Sequence, residues 1–436
     1  MILNKFELDC PKIKLTQQIK ENPIVYSGPG TIYQDKNGML QLKVYHSIKD
    51  IKKEISHQLV YYTPGKIISD EHYFLLEATD MSGTTWFSEN VWVTGNISFP
   101  TLGHVIKTSL KRIKNKTKIK ERKAKKNYLH MIVPSTDFSI PGNASEELPK
   151  GSWRRNITKI NIQQLDLELR LNDNSFTIKA ISESKKLDEE LQDKLLEALS
   201  IIFGKIVKPI IFDFIHNGYN VSAINSISLA IPDKSLLSPI KHSNTTDLQS
   251  FKDFLERYII TVGKPNSQLF GYWYNVYKAW DSSIENRSLV LSVTIEGITK
   301  TYLKKYSLPD KELLQQSQEA AKIIQKMDLH SRIKQRILSN LGELKNISTK
   351  TTLYKMADKS LFPKFYVDEW VKLRNKSAHP ANLGTNEKEI QKFLDQIHIS
   401  LTFFYLLLFL IIGYQGKYVD FSKEGWPVND FKIKKS

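Results

Sequence analysis

The sequence predicts an α+β chain of more than one domain, a β-rich N-terminal domain followed by an all-helical one. Up to about residue 240, short apolar or β-branched runs are cut by turn residues, whereas beyond it the apolar residues recur almost entirely at helical spacing. The chain has 436 residues, enough for two or three domains. A hydrophobic share of 41% and a charged share of 25%, with only 19 Gly and 16 Pro, fit a folded chain and exclude collagen-like or low-complexity architecture.

From Gly28 to Val93 the β pattern is strong. In TIYQDKNGMLQLKVYH, Asn37-Gly38 separates two strand-like stretches, the strongest short hairpin signal. YFLLEATDM and TTWFSENVWVTG continue it, with Met81-Ser82-Gly83 as the turn between them. Lys107 to Lys126 then holds eleven Lys/Arg and one acid, Glu121. Such a run reads as a solvated basic helix or flexible arm, or as a tether for a phosphate backbone through Lys111, Arg112, Lys114, Arg122 and Lys123. Clustered Pro, Gly, Ser and Asn make Pro134 to Trp153 a loop. INIQQLDLELRL and SFTIKAIS read as strands, and a helix is expected from about Leu187 to Val207.

A second punctuation, Ile231 to Asp247, sets the boundary: 1–240 a β-rich sensor or regulatory domain, 248–415 a helical domain, 416–436 a C-terminal tail. Helical patterns cover roughly Leu248 to Ile260, Ile284 to Lys305, Asp310 to Met327, Ser331 to Leu344, Lys364 to Ser377 and Asn386 to Gly413. With no fixed-period repeat, a compact antiparallel bundle is expected. In Ile397 to Tyr414, IHISLTFFYLLLFLIIGY, the apolar part after Ser400 is shorter than the roughly 20 residues a bilayer needs. The expectation is a helix buried in a bundle core or dimer interface, more apolar than one bundle can cover, and no membrane.

The net charge is +17, with 33 basic and 26 acidic residues up to position 240 and 30 against 20 beyond it, so both halves attract polyanions. The single cysteine, Cys10, excludes an internal disulfide framework, and the N-terminus has no signal-peptide pattern; a cytoplasmic setting is expected. No G-x-x-x-x-G-K-[ST], G-x-G-x-x-G or H-E-x-x-H occurs, so nothing calls for a nucleotide cofactor or a metal. Tyr272, Trp273, Tyr274, Tyr277 and Trp280 form an aromatic cluster suited to stacking bases or to filling a core.

The chemistry concentrates in FYVDEWVKLRNKSAHP, Phe365 to Pro380. Tyr366, Trp370 and Leu373 share one helix face. Pro380 disfavours helical backbone at His379, so the helix ends within Arg374 to Ala378 and the histidine can turn back. Asn375 is four residues before His379, close enough to orient the imidazole if the last turn holds. A histidine titrating near neutrality can take a proton from a ribose 2′-hydroxyl or give one to a leaving 5′-oxygen. A guanidinium such as Arg374 can hold the phosphate and stabilise its growing charge. Lys372 and Lys376 would raise the local potential. Taken alone, an Arg and a His here also serve as an ordinary helix cap and a surface residue. Glu296, in SLVLSVTIEGITKTYL, borders an apolar stripe and is either a site carboxylate or a partner of Lys300.

The segment Arg374-Asn375-Lys376-Ser377-Ala378-His379 resembles the R-N-x-x-x-H motif of the HEPN superfamily of helical ribonucleases, and it stands where that motif sits, late in a helical domain before a long apolar final helix. The two-domain layout looks like the Apea-like branch found in prokaryotic phage defence. The resemblance covers the helical half. It implies a HEPN-like bundle, a metal-independent endoribonuclease with Arg374 and His379 catalytic, Asn375 beside them and Glu296 as the polar residue of an early helix. It also implies a homodimer whose protomers share a composite site, RNA as partner (tRNA or another structured RNA), a phage-derived trigger, and abortive infection as the outcome. The alternative is a non-catalytic nucleic-acid-binding or sensor protein that dimerises through its helical domain.

Overall fold

The computed structural model describes residues 6–46, 65–93, 104–119, 127–134, 137–148, 151–184, 187–216, 218–227, 235–261, 268–307, 311–343, 347–378 and 386–433. The architecture is α+β. The chain divides into two compact units: Met1–Gln192 with Val207–Asp233 and Ser243–Thr246, and Asp193–Ile206 with Lys234–His242 and Asp247–Ser436.

Among the described residues the first unit carries fourteen strands: β1 (Glu7–Gln17), β2 (Val25–Gln34), β3 (Leu40–His46), β4 (Phe74–Thr79), β5 (Thr85–Val91), β6 (His104–Leu110), β7 (Arg112–Lys118), β8 (Asn127–Val133), β9 (Ala144–Leu148), β10 (Ser152–Ile162), β11 (Leu165–Asn172), β12 (Ser175–Ser182), β13 (Ile211–His216) and β14 (Tyr219–Asn225). They form one sheet in the order β6-β3-β2-β1-β4-β5-β7-β14-β13-β8-β12-β11-β10-β9, with antiparallel pairing along its length. Alternation explains the inner face: in β1, Cys10, Ile13, Leu15 and Gln17 are buried while Lys12 and Lys14 are exposed. A register shift between Cys10 and Ile13 puts Pro11, which has no N–H for the ladder, in a bulge. Tyr26, Phe74, Trp86, Ile106 and Ile113 extend the same core. The Asn37-Gly38 turn joins β2 to β3 as expected: Gly38 has φ 85°, and the Asp35 carboxylate accepts from the Asn37 and Met39 amides at 2.9 and 3.0 Å. Gly30 is forced by close approach, since a Cβ there would lie 2.1 Å from the Lys43 carbonyl oxygen.

The basic run is neither a helix nor an arm over its described part. Residues 104–118 form β6 and β7, turning at Lys111. The physical reason is a period of two beneath the charge: Ile113 and Asn115 point inward and are buried, while Lys116 and Lys118 are exposed. The expected loop 134–153 likewise contains β9, paired to β10.

Helices are α1 (Glu189–Phe203), α2 (Leu248–Thr261), α3 (Gln268–Ala279), α4 (Ile284–Tyr302), α5 (Lys311–Lys326), α6 (Ser331–Glu343), α7 (Thr349–Asp358), α8 (Phe365–Ala378) and α9 (Glu387–Ile412). The last eight belong to the second unit, where α4, α8 and α9 pack on one another. Long and apolar enough to cross a membrane, α9 is nonetheless mostly buried within the chain, every side chain from Leu401 to Phe409 included. This corrects the expectation that one bundle could not cover it. Gly413, at φ 70°, ends the helix. Residues of the tail then form a hairpin, β15 (Gly416–Val419) and β16 (Val428–Phe431), whose Phe431 ring lies 5.6 Å from that of Phe409. The aromatic cluster is largely core: Trp273, Tyr277 and Trp280 are buried.

Candidate functional site

Helix α8 is fixed by its apolar face, as the i, i+4, i+7 spacing predicts. Tyr366, Trp370 and Leu373 are buried, and the Trp370 indole N–H donates to the Ser292 carbonyl of α4 at 3.3 Å. At the far end the Ser377 hydroxyl donates to the Leu373 carbonyl at 2.8 Å and lies 2.9 Å from the Ser288 hydroxyl of α4. Two polar contacts thus hold the end of α8 to the helix that carries Glu296.

Between those contacts the Arg374 guanidinium meets the Glu296 carboxylate, Nε to Oε2 at 3.1 Å. The other carboxylate oxygen accepts from Lys300 Nζ at 2.7 Å. Glu296 is thus the partner of Lys300 that the i, i+4 spacing suggests, and it also contacts Arg374, one oxygen to each cation. The Lys300 ammonium foremost, then the Arg374 guanidinium, hold the Glu296 carboxyl below its ordinary range against the opposing effect of burial. The Arg374 side chain is 50% exposed, and its contact to Glu296 uses Nε, so the two terminal amino groups are available to a phosphate. Beside Glu296, Gly297 leaves room for the Tyr272 ring of α3, whose hydroxyl lies 3.0 Å from that of Thr301; a Cβ on Gly297 would sit 2.6 Å from that ring.

Not all of the expected residues join this pair. Asn375 is exposed and makes no side-chain hydrogen bond among the described residues. His379 lies outside the described residues, as do Arg122 and Lys123 of the basic run. Lys372 and Lys376 are two residues to either side of Arg374, about 200° around the helix, and point elsewhere. Lys372 Nζ contacts Glu369 at 2.6 Å, Lys376 Nζ donates to Gln396 of α9 at 3.1 Å, and the Gln396 amide donates to Glu369 at 3.0 Å. This network, built around the buried Gln396, serves the α8–α9 contact. Sequence reading missed it because its members lie on two helices; the i, i+3 spacing of Glu369 and Lys372 was the one local signal.

In the first unit, Lys111 is exposed at the β6–β7 turn. Arg112 stacks over Phe212 at 5.2 Å and lies 3.7 Å from Glu189, while Lys114 pairs with Glu89 at 3.0 Å. Lys116 lies 4.1 Å over the Tyr219 ring. Arg112 and Lys114 thus have carboxylates beside them, while Lys107, Lys111, Lys116 and Lys118 are exposed.

The arrangement can grip a phosphate and stabilise negative charge at Arg374, with the cation oriented from behind by Glu296. No family model, no curated protein and no solved structure matches this chain.

Proposed function

We propose that this protein is a metal-independent endoribonuclease of HEPN type, cleaving RNA by attack of a 2′-hydroxyl on the neighbouring phosphodiester. The single observation that supports the reading is the Arg374–Glu296 pair: a half-exposed guanidinium held at 3.1 Å near the end of α8, five residues before His379. In this chemistry His379 takes the 2′-hydroxyl proton and returns one to the departing 5′-oxygen. Arg374 binds the phosphate and stabilises the charge that builds on it. Glu296 positions the arginine, and Asn375 orients the histidine. The active form is a homodimer, held back by the N-terminal domain until a phage-derived trigger arrives, and its activity arrests the infected cell.

The test is incubation of purified full-length protein with total RNA in EDTA, beside His379→Ala and Arg374→Ala. Fragments ending in a 2′,3′-cyclic phosphate and beginning with a 5′-hydroxyl are expected from the wild type and not from either variant. Cleavage by both variants at the wild-type rate removes Arg374 and His379 from the chemistry, and wild-type protein that binds RNA and leaves it intact both in this assay and in phage-infected cells turns the assignment towards a non-catalytic binder.

A further inference from the structure

Helices α5 and α6 are strongly amphipathic, yet Ser317 is the one buried side chain among those described in the pair. They pack chiefly on each other. Leu314, Ala321 and Ile324 of α5 and Ile337, Leu338 and Leu341 of α6 are all half-buried. Two helices cover only one flank of each apolar stripe. On α5 a second flank, Leu313, Gln316, Ala320, Ile323 and Met327, recurs at three and four residues, the spacing of a helix–helix seam, and all but the half-buried Ala320 are exposed. Leu313, Ile323 and Met327 are 44, 62 and 45% exposed, and Ile333 at the start of α6 is 55% exposed. Helices of this length hold poorly without a packed face, so this seam calls for a partner.

The charge pattern identifies it. Away from the tip, in residues 311–321 of α5 and 337–343 of α6, Glu312, Glu319 and Glu343 outnumber the one cation, Lys311. Residues 322–336, around the tip, hold Lys322, Lys326, Arg332, Lys334 and Arg336 against Asp328 alone. The hairpin is therefore acidic near its base and basic at its tip, while the apolar seam runs the length of both. A nucleic acid or an anionic bilayer would be drawn to the tip and repelled by the base, and a nucleic acid has no use for the seam. A second hairpin lying antiparallel satisfies both, each basic tip against the other's acidic base. We propose that α5 and α6 are an interface between two copies of this chain, closing as an antiparallel four-helix bundle. In the register that follows, Ala320 faces Ile323 of the other copy, Gln316 faces its Met327, and Glu319 meets its Lys326. The proposal names the surface that joins the copies and uses no residue of the Arg374 site, so the cross-link and Ile323→Lys test it whatever the ribonuclease assay returns.

Cys10, the single cysteine, is buried, so introduced cysteines report cleanly. Full-length protein carrying Ala320→Cys with Ile323→Cys should form a disulfide-linked dimer on mild oxidation. By light scattering after nuclease treatment, the wild type should have twice the 50.4 kDa chain mass. Ile323→Lys should be monomeric, with an unchanged circular dichroism spectrum because the residue is exposed. Lys326→Glu should weaken the dimer at least tenfold, and Glu319→Lys with Lys326→Glu should restore it. A monomeric wild type, absence of the cross-link, or a dimer indifferent to Ile323→Lys overturns the proposal. So does RNA or anionic-vesicle binding that Lys326→Glu abolishes and the double exchange fails to restore, which would assign the hairpin to that partner.

Discussion

Replacing Glu296 by glutamine separates the stability of the candidate site from its chemistry. The carboxylate holds the Arg374 Nε at 3.1 Å, but the arginine side chain is half exposed. An ion pair with that much solvent contact contributes less than about 1 kcal/mol to folding, so Glu296→Gln should leave urea unfolding nearly unchanged. What is lost is the orientation of the guanidinium. If orientation carries about 1 kcal/mol of preference, the cleavage rate falls about fivefold, since 1.36 kcal/mol corresponds to a factor of ten. Arg374→Ala, which removes the group itself, should cost on the order of 10² to 10³ in rate. Lys300→Ala leaves the Arg374 contact in place and should cleave at close to the wild-type rate. The assay is the initial rate on a defined single-stranded RNA in EDTA, with urea unfolding of each variant alongside. Wild-type rates from Arg374→Ala would refute the reasoning at its base. A loss in Glu296→Gln as large as that in Arg374→Ala, with the fold intact, would show that the carboxylate touches the reacting atoms rather than positioning the arginine.

Three further outcomes follow from the packing. Burial pushes the Glu197 carboxyl up to about 7 from 4.5, although the Tyr258 hydroxyl donates to it at 2.8 Å. Its folded form prefers the proton, so this contribution to stability is complete below about pH 4.5 and is lost as pH rises through 7. Glu197→Gln should therefore raise stability at pH 8 by on the order of 2 kcal/mol and leave it nearly unchanged at pH 4, as read by denaturant midpoints; the opposite trend would exclude this assignment. Phe431→Ala, which strips the C-terminal hairpin from the Phe409 ring, should cost about 3 kcal/mol in the same measurement, and a loss under 1 kcal/mol would mean the hairpin is dispensable. Replacing Lys116 and Lys118 by glutamine should flatten the salt dependence of RNA binding by about 0.7 in slope for each phosphate contact removed, and an unchanged slope would assign β7 to another partner.

What could be read from the sequence was local. Asn37-Gly38 specifies its turn through residues that adopt positive φ or hydrogen-bond their own backbone, and the face of Tyr366, Trp370 and Leu373 follows from helical spacing. Helix α3 was hidden because GYWYNVYKA is apolar around much of its circumference, which blurs any period. Helix α7 begins with Thr349, Thr351 and Thr352, whose β-branching speaks against a helix. In β7 the count of lysines drew attention from the alternation of Ile113 and Asn115. The pairing of Arg374 with Glu296 was accessible only as an expectation from resemblance. The two residues are 78 apart, and no spacing rule joins positions on different helices.

The final helix shows how such a non-local fact changes an inference about assembly. An apolar run such as Leu401 to Ile412 suggests, by composition, surface in excess of what one chain can hide. The chain hides it: Leu401 and residues 403–408 pack inside the bundle, Phe409 packs against Tyr414, Tyr418 and Phe431, and the Tyr405 hydroxyl donates to the Leu237 carbonyl at 2.7 Å. Charges placed at Leu406 and Phe409 should therefore unfold the protein rather than separate two copies, and even Leu406→Ala should cost about 2–5 kcal/mol. A folded monomer from Leu406→Asp, seen by circular dichroism and light scattering, would contradict this packing. Among the apolar residues that the fold leaves exposed, Ile323 and Met327 lie on a hairpin whose composition is mainly polar and whose periodicity alone marks it. The contact proposed between two copies is therefore sought among apolar residues that the fold leaves exposed at helical spacing, and not where the sequence is most apolar.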